Sequence, residues 1–82
     1  MSKQDKLQKR LVAIPADFTW DELVSVLSGV GFELKPGGGG SARFFVKDGG
    51  QKIFLHEPHP KNIVRKCYLR EIVKKLRELK LI

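Results

Sequence analysis

The two histidines of this 82-residue chain stand three residues apart, in His56-Glu57-Pro58-His59. An imidazole titrates near neutral pH, so either ring could pass a proton in a hydrolytic or transfer reaction. With Glu57 they also offer three side chains able to ligate a metal. Their spacing is not that of the helical His-Glu-x-x-His motif, however, and Pro58 excludes a helix there. The readings to weigh are acid–base work by His56 or His59 and a structural or merely exposed histidine at a strand end. No metal and no cofactor are expected.

A second candidate is the run Gly37–Gly40, which leads into Ser41-Ala42-Arg43. A nucleotide-binding P-loop ends in Gly-Lys-Ser/Thr and opens a helix, whereas this run opens a strand, so nucleoside triphosphate binding is set aside. What remains is a loop that approaches a basic surface, or a hairpin spacer. The third candidate is a row of Lys66, Arg70, Lys74 and Arg77, three or four residues apart on one helix face. Such a stripe is the electrostatic footprint of phosphate binding without sequence readout. The plainer alternative is a solvated face eased by the pairs Glu71 with Lys75 and Lys74 with Glu78. Across the chain 16 Lys and Arg stand against 9 Asp and Glu, a net charge of +7. In so small a domain that excess points to a polyanionic or acidic partner, with a solubilising surface as the alternative.

Cys67 is the single cysteine, which excludes an intrachain disulfide framework and a thiolate zinc cluster and fits a reducing compartment. No apolar run approaches the roughly 18 residues of a membrane span, and no signal-peptide core follows the charged start. The expectation is a soluble, cytoplasmic protein that binds no membrane. The length fits a single domain, residues 1–82, with one sheet and a few helices around a small core.

The elements that must position these residues are legible in order. Within residues 1–15, Leu7 and Leu11 stand four apart among Lys3, Lys6, Lys9 and Arg10, which predicts a short amphipathic helix that stops before Pro15. Over 18–31, Thr19 and Glu22 form a capping box, Phe18 and Leu23 take the hydrophobic-staple positions, and Asp21 and Glu22 suit the positive end of the helix dipole. Trp20, Leu23, Val24, Leu27 and Val30 then give one apolar face, and Gly31 ends the helix. Strands are expected at 32–35, 42–47 and 51–56, a loop over 57–62, and a last helix from Lys66 to about Leu79 with Leu69, Ile72, Val73, Leu76 and Leu79 on one side.

Between the second and third strands, Gly49-Gly50 suits a two-residue hairpin loop. That register sets Phe44 opposite Leu55, with Ala42, Phe44, Val46, Ile53 and Leu55 on the core face. The other face then holds Arg43, Phe45, Lys47, Lys52, Phe54 and His56, basic with two aromatics. Aromatics among cations can stack unpaired bases, and they can equally anchor a protein interface. A three-residue loop would instead set His56 directly across from Ala42. Either way the fold is a two-layer α+β domain, α-β-β-β-α after an extra helix, with an antiparallel sheet under two helices.

The run from Phe18 to Ile82 resembles the HicA toxins of bacterial toxin–antitoxin systems. The resemblance is carried by Gly31-Phe32-Glu33-Leu34 after the first main helix, by Gly40-Ser41 opening the second strand, and by His59-Pro60. A terminal Leu69…Ile72…Leu76 helix and a final Leu-Ile complete it, and the start Asp17 to Leu23 looks like a subgroup of that family. It implies a double-stranded-RNA-binding-domain-like fold, with 1–15 as a basic N-terminal extension and 16–82 as the core. It also implies an mRNA interferase, that is an endoribonuclease acting on mRNA, and a HicB-type antitoxin partner that covers the RNA-binding surface.

On this resemblance the RNA-contacting set is Gly40, Ser41, Arg43, Phe45, Lys47, Lys52, Phe54, Lys66, Arg70, Lys74 and Arg77, with Arg43 or Lys47 stabilising phosphate charge. The family's catalytic histidine directly follows Gly-Ser, and that position here is Ala42. Three readings are open: an engineered histidine-to-alanine replacement, a natural variant that cleaves through another residue or only binds, or a role for His56. A non-catalytic RNA-binding module and an adaptor for a protein partner are the alternatives to a nuclease.

Overall fold

The computed structural model describes residues 3–37, 40, 42–58 and 61–82. Along the chain these form α1 (Lys3–Val12), α2 (Trp20–Gly29), β1 (Glu33–Pro36), β2 (Ala42–Lys47), β3 (Gln51–His56) and α3 (Lys66–Glu78). This is the expected α-β-β-β-α order after a short N-terminal helix, an α+β architecture of the double-stranded-RNA-binding-domain kind.

α2 begins as its sequence dictates. The Glu22 N–H donates to the Thr19 hydroxyl at 3.1 Å, and the Glu22 carboxylate accepts from the Thr19 N–H at 3.0 Å. Its end is a Schellman motif: Gly31, at φ 101°, donates to Ser28, and Phe32 donates to the Leu27 carbonyl at 2.9 Å. Because Phe32 is used to close the helix, β1 starts one residue later than its apolar pattern suggests. α3 ends in the same way, with Leu81 donating to the Leu76 carbonyl at 2.9 Å.

A ten-residue helix is marginal alone, so α1 must be held by tertiary contacts. Leu7 and Leu11 are buried in the common core, and the Gln4 amide donates to the Val26 carbonyl at 2.9 Å. Arg10 pairs with both Glu22 and Asp17 and lies 5.4 Å above the Phe18 ring. Partial burial pushes the Glu22 carboxyl up, but the Thr19 N–H and hydroxyl and the Arg10 guanidinium outweigh it and hold the group below its ordinary value.

The sheet has the order β1-β2-β3 with both pairings antiparallel. Its register corrects the two-residue hairpin. Lys47 pairs with Gln51, Phe45 with Ile53 and Ala42 with His56, so Asp48, Gly49 and Gly50 together form the loop. Two glycines at positive φ suit a three-residue loop as well as a two-residue one, and packing decides between them. Phe45 at mid-strand is completely buried with Ile53 and Leu55, and its ring lies 5.6 Å from that of Trp20. The cations flanking it, Arg43 and Lys47, sit near the strand ends, where they are only half-buried.

The helix-covered face is therefore Arg43, Phe45, Lys47, Ile53 and Leu55. The open face is Ala42, Phe44, Val46, Lys52, Phe54 and His56, the reverse of the expected assignment for β2. One core joins the covered face to both main helices through Leu23, Val26 and Leu27 of α2 and Leu69, Ile72 and Leu76 of α3.

The segment between β3 and α3 is pinned to the start of α2. Val64 donates to the Phe18 carbonyl at 2.8 Å, Trp20 donates to the Asn62 carbonyl at 2.9 Å, and Thr19 bridges Ile63. This long-range pairing fixes where Lys61, Ile63 and Arg65 stand relative to the end of β3. Among the described residues no helix is long and apolar enough to cross a membrane.

Candidate functional site

Directly opposed residues of an antiparallel pair share a sheet face with Cβ atoms about 4.5–5.5 Å apart. The register therefore puts Ala42 and His56 side by side at one end of the open face. Gly37 extends the row beyond Ala42, and its N–H donates to the Ala42 carbonyl at 2.9 Å. A Cβ at position 37 would fall 2.7 Å from the Ala42 carbonyl carbon and 2.9 Å from its Cβ, so this close approach requires glycine. A side chain at position 42 is thus flanked by an imidazole on one side and by bare backbone on the other.

The rest of the open face is aromatic and cationic. The Phe54 ring is 60% exposed and meets the His56 ring edge-on, with centroids 5.6 Å apart. Lys52 carries its ammonium 5.8 Å from the Phe44 ring centroid. On β1, Lys35 stands opposite Phe44 and pairs with Glu33 at 2.8 Å.

Arg43, one of the two cations expected to stabilise phosphate charge, makes contacts within the chain. Its Nη1 donates to the Ala42 carbonyl at 2.7 Å and to the Gly40 carbonyl at 2.8 Å, and its Nε lies 3.5 Å from the Glu57 carboxylate. It ties the end of the glycine run to the residue after His56. Lys47 reaches across the covered side to Gly31, beyond the C-terminus of α2, where the helix dipole favours a positive charge. Phe45, expected among the RNA-contacting side chains, is in the core and offers no surface. Ser41 and His59 lie outside the described residues. Gly40 is exposed, as are Lys52 and four of the five α3 cations, Lys66, Arg70, Lys74 and Arg77.

Two grooves adjoin these groups. One, of about 570 Å³, lies between the end of α1 and α3 and takes in Arg70, Lys74 and Arg77 beside Val12 and Val73. It contains no histidine. The other, of about 530 Å³, has His56 and Glu57 on one side and Lys61, Ile63, Arg65 and Tyr68 on the other. The sequence reading missed Phe44, Lys61, Arg65 and Tyr68. Phe44 follows from the corrected register. The other three reach His56 through the Thr19–Ile63 bridge, a pairing that no local periodicity announces. Among the described residues, no three His, Cys, Asp or Glu side chains group closely enough to hold a metal ion.

A model of the family described as HicA toxin of bacterial toxin-antitoxin matches residues 20–81, from the first turn of α2 to the penultimate residue. No curated protein and no solved structure matches the chain.

Proposed function

The chain belongs to the HicA toxin family of bacterial toxin–antitoxin systems, and from that membership we propose that it is an RNA-directed toxin, an mRNA interferase whose reaction centre is the Ala42–His56 end of the open sheet face. The observation that carries this reading is the cross-strand pairing of His56 with Ala42. It sets an exposed imidazole directly across from Ala42, the position that the family resemblance assigns to a catalytic histidine.

Metal-free cleavage of RNA needs two proton transfers. A base removes the proton of the ribose 2′-OH, and O2′ attacks the adjacent phosphorus. The P–O5′ bond breaks, O5′ takes a proton from an acid, and a 2′,3′-cyclic phosphate remains on the upstream fragment. One imidazole poised near neutral pH can serve either transfer. With a methyl group at position 42, the centre has His56 for one of the two and no described imidazole for the other. The chain as written therefore binds RNA and cleaves it slowly, and Ala42→His supplies the second group. His59 is the other candidate for that role.

Binding is assigned to the open face, with Phe54 and Phe44 stacking bases and Lys52 meeting phosphate, and to the exposed cations of α3. A HicB-type antitoxin would neutralise the toxin by covering this surface in the cytoplasm, where mRNA is translated. One observation favours a second reading, a non-catalytic RNA-binding module: Ala42 itself has no chemistry. Incubating a single-stranded RNA with the chain and with Ala42→His separates the two. Cleavage by Ala42→His to products ending in a cyclic phosphate supports the reaction centre. Tight binding without cleavage by either protein supports the binding module.

A further inference from the structure

We propose that the groove beside His56 is a subsite for one nucleotide of single-stranded RNA, in which Lys61 and Arg65 hold a phosphate and Tyr68 contacts the base or ribose. This rests on the RNA reading above and adds to it a place and a set of residues. The groove, about 530 Å³, falls in the range of roughly 300–1,000 Å³ typical of small-ligand sites.

Its lining is sorted as a nucleotide requires. Lys61 and Arg65 are exposed cations, while Ile63 and Tyr68 are half-buried and supply apolar surface with one phenolic hydroxyl. Glu57 adds a carboxylate at the rim, and such an acceptor pairs with the amino and imino N–H groups of a base edge. Arg43 holds that carboxylate at 3.5 Å and the Ala42 carbonyl at 2.7 Å, so the groove is tied to the row containing position 42.

The electrostatics also call for an anion. Arg65 takes the N-cap position of α3 without a side-chain capping hydrogen bond, and the first turn of α3 has no acidic residue. Arg65 and Lys66 therefore stand at the positive end of a 13-residue helix dipole, and Lys61 lines the same groove with Glu57 as its one carboxylate, so a phosphate placed there meets more positive than negative charge. α2 is the contrast: it begins with a capping box and two acidic residues. The Thr19–Ile63 bridge holds the groove's far wall in place, so the subsite is largely formed before RNA arrives.

The test combines NMR titration of the isotope-labelled chain with RNA affinities of variants. The probes are an unstructured 12-mer RNA, each of the four nucleoside 5′-monophosphates, and inorganic phosphate alone. The subsite predicts that RNA and at least one monophosphate shift the Lys61, Ile63, Arg65 and Tyr68 signals, and that phosphate alone shifts fewer of them. Lys61→Ala/Arg65→Ala should weaken RNA binding about tenfold. It should also lower the slope of log affinity against log salt by about 0.7 for each phosphate that the variant no longer neutralises. Both side chains are exposed, and an unchanged melting temperature confirms that the variant is folded. RNA that binds while the groove signals stay still overturns the subsite and leaves the RNA reading standing. Shifts that inorganic phosphate reproduces in full overturn it as a nucleotide site. RNA that fails to bind at all overturns both.

Discussion

The two faces of the sheet are built from nearly the same residue types and do opposite things. Each presents a phenylalanine of β2, a partner from β3 and at least one cation. On the covered face Phe45 is fully buried against Trp20, Ile53 and Leu55, Arg43 holds the end of the glycine run, and Lys47 reaches to Gly31 past the end of α2. On the open face Phe54 is 60% exposed, Lys52 lies over Phe44, and His56 stands across from Ala42. What separates the faces is not composition but which of them the helices cover. Without a helix over it, the open face leaves the Phe54 ring available to a ligand or partner, whereas the Phe45 ring is spent on the core.

The largest expected difference between the faces is in stability. Phe45→Ala should cost about 3–5 kcal/mol, as truncation of a buried aromatic does, and in a domain of this size that removes much of the margin against unfolding. Phe54→Ala should change stability by less than about 0.5 kcal/mol. Urea melts of the two variants check the pair, and equal losses would mean that the two faces are not distinct.

RNA binding should invert that order. Phe54→Ala, folded and stable, is expected to lose about 1–3 kcal/mol of affinity for single-stranded RNA, the worth of one stacked base. Fluorescence anisotropy at fixed salt measures this, and an unchanged affinity would remove Phe54 from the binding surface.

Gly37→Ala sharpens the comparison at the edge of the open face. Its Cβ would meet the Ala42 backbone at 2.7 Å, so the end of β1 must move away at a cost of about 1–3 kcal/mol. The same substitution should disturb the amide signals of Ala42 and His56 while leaving those of Phe45 and Ile53 in place.

A further, smaller loss of stability lies entirely on the helix side. The Glu22 carboxyl is held below its ordinary value in the folded chain, so the unfolded chain binds the proton more readily. The stability this contributes is complete above the unfolded value near ~4.3, and it is lost as pH falls through the lower folded value. Glu22→Gln keeps a capping side chain but not the ion pair with Arg10. It should cost about 0.5–1 kcal/mol at neutral pH and flatten the acid limb of the stability curve. RNA affinity per folded molecule should not change.

Much of the fold was legible because local chemistry and packing agree. Thr19, Glu22 and Gly31 announce both ends of α2, and the period of Leu69, Ile72 and Leu76 announces α3. The register was not legible, because Phe44-Phe45-Val46 offers an apolar residue to either face and two glycines suit either loop length. Only the core, where Phe45 meets Trp20, selects between them. That selection moved half of the expected strand surface: Phe45 went inside and Phe44 came out. The pairing of Ala42 with His56 was contained in the sequence as the three-residue alternative. Lys61, Arg65 and Tyr68 could not be placed from their own stretch, since their position follows from a bridge between residues 19 and 63.

The reaction centre is tested most directly by the rate of RNA cleavage in three proteins: the chain as written, Ala42→His, and Ala42→His/His56→Ala. A positioned acid or base contributes about 10²–10⁴-fold. Ala42→His is therefore expected to exceed the chain as written by that order and to leave a 2′,3′-cyclic phosphate, and removal of His56 should return much of the gain. Ala42→His that binds RNA but cuts it no faster, or cleavage indifferent to His56, would contradict a centre built on this cross-strand pair.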